Sequence, residues 1–232
     1  MINKYKSLET KININFKNQT LLENVFIHRS YLNEHKSSSL PSNERLEFLG
    51  DSVLSLITSV YLFKNYPNLK EGDYTEIKSA IVKMDSLAEA AKKIDLSNYL
   101  LLSKGEEKGA GRSNNNILAD CFEALIAAIF LDQNFEAAYL FVVNFLLFDK
   151  LNYLLENSLY LSAKSKLQEL IQGKYKKTPL YKVLEQKGPE HKRTFKIGVY
   201  FNNKNLGVGI APSKKEAEEA AAKKAFENLH LL

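Results

Sequence analysis

An all-α domain followed by a small α+β domain in the order α-β-β-β-α is the fold class that this sequence predicts, on three observations. The first 150 residues read almost wholly as helix, with apolar residues returning at helical spacing. Beyond residue 163 the period changes: Phe195, Ile197, Val199 and Phe201 alternate over seven residues, and Leu206, Val208 and Ile210 alternate again. The charge changes sign in the same region. Residues 1–160 hold 17 Lys and Arg against 20 Asp and Glu, whereas 161–232 hold 15 against 7. The expected organisation is a helical domain over 1–156, a linker over 157–162 and the second domain over 163–232.

In chain order, Thr20 is placed to cap a helix through Leu21, Leu22, Val25 and Phe26, which closes at His28-Arg29-Ser30-Tyr31. His35 to Ser42 carries three serines and Pro41 and is read as a loop, with Ser42 or Asn43 capping the next helix. That central helix is expected to run to Tyr66, before Pro67. Glu71-Gly72-Asp73 is read as a turn and Tyr74 to Lys83 as a helix. Met84 to Lys93 is a further helix with Asp85 as its cap, and Gly105 to Asn116 a polar surface loop. Ile117 to Leu131 is apolar nearly all round, the mark of a helix enclosed by others. Residues 135–157 form the last helix of the first domain. In the second, Lys164 to Tyr175 is amphipathic, Tyr181 and Val183 begin a strand, and Asn202 to Asn205 turn between the two alternating runs. Ser213-Lys214-Lys215-Glu216 is a capping box that opens an Ala-rich helix to Leu229.

With 45% apolar and 25% charged residues, the composition is that of a soluble globular protein. No run approaches the roughly eighteen apolar residues of a membrane span. The first residues, Met1 to Lys11, lack the apolar core of a secretory signal. Cys121 is the single cysteine, so an internal disulfide is excluded, and a cytoplasmic location is expected. The basic second domain suggests a polyanionic partner; a merely solubilising role for its lysines fits the charge equally well.

The chemistry lies in the carboxylates of two apolar helices. Glu47 and Asp51 are four residues apart and share a helix face, as do Asp120 and Glu123 at a spacing of three. Like charges at those spacings repel, and unpaired carboxylates are costly to bury. Either cations from Arg29, Arg45 or lysines lie between them, or a metal ion does. Four oxygen donors with no Cys or His suit Mg²⁺ or Mn²⁺ rather than zinc. A di-iron bundle needs Glu-x-x-His pairs, and the residues three past Glu47 and Glu123 are Gly50 and Ile126. A carboxylate-held Mg²⁺ can lower the pKa of a bound water and stabilise a five-coordinate phosphorus, which fits phosphodiester hydrolysis.

The run Asn43-Glu44-Arg45-Leu46-Glu47-Phe48-Leu49-Gly50-Asp51 resembles the signature of the ribonuclease III family. His28 to Tyr31, Glu71-Gly72 and Leu118 to Leu125 match further family motifs. The C-terminal segment is similar to a double-stranded-RNA-binding domain. The resemblance implies an all-α endonuclease domain acting as a homodimer with Mg²⁺, for which Mn²⁺ substitutes, and no organic cofactor. Each subunit cuts one strand of double-stranded RNA, leaving 5′-phosphate and 3′-hydroxyl ends with a short 3′ overhang. The implied role is the processing of ribosomal and other structured precursor RNAs.

Carried over by position, Glu47, Asp51, Asp120 and Glu123 match the metal-binding acids, with Asp51 and Glu123 assigned to catalysis. Glu44 and Glu71 match auxiliary cleft acids that place substrate, and a structural salt bridge serves equally well as a reading of either. Phe48 matches an aromatic inserted into the partner subunit, although by apolar pattern alone it is a core phenylalanine. Cys121 is read as packing. In the second domain, Gln168, Glu169 and Gln172 would meet 2′-hydroxyls in one minor groove and His191 the next, with Lys214 and Lys215 on the phosphates between. The chain departs from related domains in having Ala211 and Pro212 before the capping serine, and Glu218 where a third lysine often stands; weaker RNA binding is the implied result. A catalytically silent RNA-binding relative would have lost at least one of the four acids, and a DNA-directed nuclease would not need a 2′-hydroxyl-reading domain.

Overall fold

The computed structural model describes residues 4–148, 150, 151, 154, 162–189 and 192–229. The chain divides into two compact units, residues 1–157 and 158–232. Each is taken by itself.

The first unit is helical: α1 (Lys6–Ile12), α2 (Gln19–Val25), α3 (Arg29–Glu34), α4 (Glu44–Asn65), α5 (Glu71–Ile81), α6 (Met84–Lys93), α7 (Lys104–Lys108), α8 (Asn115–Asp132) and α9 (Phe135–Val142). A π-helical turn over Val143–Leu147 continues α9. The α8 helix is the axis of the unit. Its residues Leu118, Cys121, Phe122, Leu125, Ala128 and Ile129 are fully enclosed, and α2, α4, α6 and α9 pack round it. The enclosure predicted from its apolar circumference is thus met.

Several local expectations are corrected. Asn18, not Thr20, caps α2, its side chain accepting the Leu21 amide hydrogen bond at 3.0 Å. His28 does not end that helix; it caps α3, its Nδ1 accepting from Ser30 N. Asn43 stands at the cap of α4, but its side chain donates to Val25 O instead, at 3.0 Å, tying α4 to the end of α2. Glu71 to Asp73 form the first turn of α5 rather than a preceding turn, because the Asp73 carboxylate accepts from Lys70 N and closes the helix start. Lys83, not Asp85, precedes α6; Asp85 instead accepts from the Asn115 amide at 3.1 Å. The segment 105–116 is not one loop: it holds most of α7, a 3-10 turn over Gly111–Ser113, and the start of α8, all pinned by Arg112 on Glu107 and on Ser97 O. Of the helix expected over 135–157, residues 149, 152–153 and 155–157 lie outside the described residues, as does most of the expected linker.

The α4 helix is long and apolar enough to cross a membrane by composition alone. Its Leu46, Val53, Leu54, Ile57 and Leu62 are buried in the unit, so these side chains belong to a core helix. Its other face corrects the reading of Phe48 as a core phenylalanine: Phe48, Leu56 and Phe63 are exposed, Phe48 by 79%.

The second unit has the predicted order: α10 (Ala163–Tyr175), β1 (Leu180–Lys187), β2 (Thr194–Phe201), β3 (Lys204–Ala211) and α11 (Lys214–Leu229). The sheet is antiparallel in the order β1-β2-β3, with Val199 opposite both Tyr181 and Gly207. Asn202 and Asn203 both take positive φ, 47° and 63°, as a two-residue hairpin between right-twisted strands requires. The inward faces of Ile197 and Val199 meet Leu167 and Ile171 of α10 and Ala217, Ala221, Ala222 and Ala225 of α11. Gly207 and Gly209 carry no Cβ because one would overlap the backbone of α11 at Ala221 and Ala217, so the alanine face lies directly on β3.

Candidate active site

The site is built on the closest approach of α4 to α8. A Cβ at Gly50 would overlap the backbone carbonyl of Glu123, so glycine alone permits this contact. Glu47 stands one turn before Gly50 and Asp51 directly after it, and one turn back from Glu123 stands Asp120. The contact therefore turns two acid pairs toward each other.

Electrostatics register the pairing. Burial, then Asp51, Glu47 and Asp120, push the Glu123 carboxyl up to about 8. Glu47 is raised by burial and then by Asp120 and Glu44, with Arg29 opposing. Asp120 is also raised, chiefly by burial, against the pull of His28 and Arg29. Asp51 is exposed and the other three are half-buried.

Among the described residues, none of these four carboxylates makes an ion pair or a hydrogen bond to another side chain. The contrast with Glu9 is instructive: only 3% exposed, it accepts from Phe16 N at 2.8 Å and from Gln19 Nε2 at 2.9 Å. A buried acid that serves structure finds donors; the four on α4 and α8 are left facing one another. The cross-helix arginine alternative fails at Arg29, which pairs with Glu44 at 3.9 Å instead. Like charges spread rather than converge. In keeping with that, no group of three or more His, Cys, Asp or Glu among the described residues is drawn together as a ready ligand set. The donor set is nonetheless one that a hard divalent cation satisfies: oxygen-only and with excess negative charge.

A cleft of about 580 Å³ opens beside Glu47 and Asp120, walled by His28, Arg29, Asn43 and Glu44 on one side and by Asn114 and Asn116 on the other. Its lining is mostly polar, with Ile117 among it. Glu44 stands on its rim, held by Ser42 Oγ at 2.7 Å as well as by Arg29. Glu71 is not brought to the four acids within this chain: it is exposed at the start of α5 and accepts from Thr75 Oγ1 at 3.3 Å. Cys121 is fully buried, with its thiol 3.7 Å from Val25 O and raised far above its ordinary pKa by burial, so it packs and does not react. His28 was missed as a cleft residue. It lies in a motif quoted above, but only the Ile27–Leu101 bridge and the His28 N–H to Leu101 O bond, at 3.1 Å, bring it across from α8.

On the second unit, Gln168, Glu169 and Gln172 are exposed on α10, opposite buried Leu167 and Ile171. Lys214 and Lys215 are exposed in the first turn of α11, whose Glu216 N–H is capped by Ser213 Oγ at 3.2 Å. His191 lies outside the described residues.

Residues 18–150 match the family model described as Ribonuclease-III-like, and residues 163–229 that of the double-stranded RNA binding motif. The protein named Ribonuclease 3 of Treponema denticola is 44% identical over 93% of this chain and 87% of its own length. That of Geobacillus kaustophilus is 43% identical over 97% of this chain and 91% of its own. The first unit is similar to the solved nuclease domain of ribonuclease III from Campylobacter jejuni, at 34% identity and a TM-score of 0.58, covering 63% of this chain and 98% of that one. That structure is described for flexibility in its region involved in dimer formation.

Proposed function

The chain belongs to the ribonuclease III family, and from that premise we propose that it is an endoribonuclease that hydrolyses phosphodiester bonds in double-stranded RNA at the acids facing each other across α4 and α8. The observation that supports the assignment is the Gly50–Glu123 contact, which brings the helix bearing Glu47 and Asp51 against the helix bearing Asp120 and Glu123. The division of labour follows the organisation expected above: a nuclease domain over 1–156, a linker over 157–162 and an RNA-binding domain over 163–232.

The family is metal-dependent, and Mg²⁺, with Mn²⁺ as substitute, is the cation assigned to Glu47, Asp51, Asp120 and Glu123 here. Once bound, such a cation supplies Lewis acidity to the phosphate and lowers the pKa of a water. The chain's own residues do the rest. Gly50 lets the two acid-bearing helices approach closely. The half-buried Glu123 and the exposed Asp51 are assigned to catalysis, and Glu47 and Asp120 would complete the set that holds the cation. Arg29 projects from that wall with a largely exposed guanidinium, suited to a phosphate oxygen of the substrate strand. Glu44 steadies Arg29; Glu71 is assigned to substrate placement.

Phe48, Leu56 and Phe63 lie on one exposed face of α4 at helical spacing. A homodimer formed across that face would bury them and give two cutting centres, one per strand. The products are then 5′-phosphate and 3′-hydroxyl ends with a short 3′ overhang. Processing of ribosomal and other structured precursor RNAs in the cytoplasm is the setting this activity fits. The test is incubation with a long RNA duplex with and without Mg²⁺, followed by end analysis; a duplex left intact, or cut to 3′-phosphate ends, contradicts the assignment.

A further inference from the structure

The basic face of the second unit contains an acid that works against it. Glu218 stands one turn beyond Lys214 on α11, so the two share a face. Its Oε2 is 2.5 Å from the Nζ of Lys164, the second residue of α10. The Lys164 ammonium also lies 5.0 Å from the centre of the Tyr181 ring. Next to Glu218, Glu219 accepts from the Ala163 and Lys164 amides at 2.8 and 3.2 Å, which fixes the start of α10 against α11. The helix junction is therefore anchored by Glu219 and by the packing of Leu167 and Ile171 on Ala221, Ala222 and Ala225, besides the Lys164–Glu218 pair. Both members of that pair keep solvent access, 43% and 26% of their side chains, so the charges are presented at the surface.

We propose that Glu218 limits the affinity of this domain for duplex RNA, by occupying the Lys164 ammonium in an internal ion pair and by placing a negative charge beside the lysines that meet phosphate. The inference rests on the reading of Lys214 and Lys215 as phosphate contacts. Glu218 is a setting on that surface rather than part of the fold. Replacing it by glutamine keeps the volume and a hydrogen-bond acceptor for Lys164, while releasing one positive charge to the RNA.

The experiment measures binding of the full-length chain to a 30-base-pair RNA duplex in EDTA, across a range of KCl concentrations, for the wild type and for Glu218→Gln, Glu218→Lys, Lys164→Met with Glu218→Gln, and Lys214→Ala with Lys215→Ala. Glu218→Gln is expected to tighten binding by roughly fivefold to tenfold, and to steepen the slope of log K against log salt by about one. Glu218→Lys should go further. Lys164→Met with Glu218→Gln should lose part of the gain, because the released ammonium is then missing. Unchanged or weaker binding in both Glu218 variants, with the lysine pair still required, overturns the inference and leaves the phosphate contacts standing. Unchanged binding in the Lys214 and Lys215 variant overturns the underlying reading instead. Melting curves of the Glu218 variants separate lost binding from lost fold.

Discussion

Gly50 of α4 lies against the backbone of Glu123 on α8, so close that a methyl group at Gly50 would overlap the Glu123 carbonyl. This contact decides the spacing of the two acid-bearing helices, and hence whether Glu47 and Asp51 can act with Asp120 and Glu123. Gly50→Ala must push the helices apart. Overpacking of this kind costs about 1–3 kcal/mol of stability. Cleavage is expected to fall further than the melting temperature suggests, on the order of 100-fold, because the shift is applied at the reacting groups. Parallel melting curves and duplex-cleavage rates check both; a fully active Gly50→Ala enzyme removes the contact from the account.

Glu123 holds its proton up to about pH 8, first through burial and then through Asp51, Glu47 and Asp120. A carboxyl raised above its unfolded value of 4.5 leaves stability intact below that pH, and stability falls as pH rises from there toward 8. Glu123→Gln should therefore stabilise the fold in EDTA at pH 8, by on the order of 1–2 kcal/mol after solvent screening, and have little effect at pH 4. The same variant should be inactive. A glutamine variant no more stable than the wild type at pH 8 would show that the acids do not burden the fold.

Asp132 carries the opposite sign. Burial favours its neutral form, but hydrogen bonds from Lys17 N at 3.0 Å and Asn18 N at 2.8 Å, with Gln133, hold its carboxyl below the ordinary value of 3.8. Its contribution is present above about pH 4 and is lost as pH falls through the lowered value. Asp132→Asn is expected to cost about 0.5–1 kcal/mol at pH 7, since the site is partly exposed, and less at pH 2. Denaturant titrations at the two pH values read this directly.

Phe48→Ala should weaken self-association. A phenylalanine taken from water is worth about 1.5–3 kcal/mol and a two-fold dimer loses two of them, so the dissociation constant of the homodimer is expected to rise roughly a hundredfold to ten-thousandfold. Sedimentation velocity over a concentration series measures it. An unchanged constant would place the dimer on another face of the chain.

Much of this architecture was readable from periodicity, and the exceptions have physical causes. The α8 helix announced itself because it is apolar on every side, and β2 and β3 because alternation at period two has few rivals. Phe48 was misjudged by pattern, since an exposed apolar face has the same composition as one packed inside. The start of α5 was hidden because Glu71-Gly72-Asp73 has turn composition, and only the bond from Lys70 N to Asp73 makes it helical. His28 gave no sign of lining the cleft, because its place there depends on a backbone bond to Leu101, 73 residues away. The four acids stood out for their cost on apolar helices. Gly50, which lets them meet, looks in sequence like any helical glycine.

The most direct test is a crystal of the full chain soaked in Mn²⁺, with anomalous scattering recorded at the manganese edge. The account predicts a peak between α4 and α8, with carboxylate oxygens of Glu47, Asp51, Asp120 or Glu123 at about 2.1–2.2 Å, and its loss in Glu123→Ala with Asp51→Ala. A peak elsewhere on the chain, or these acids drawn onto arginine or lysine with no manganese among them, would contradict it.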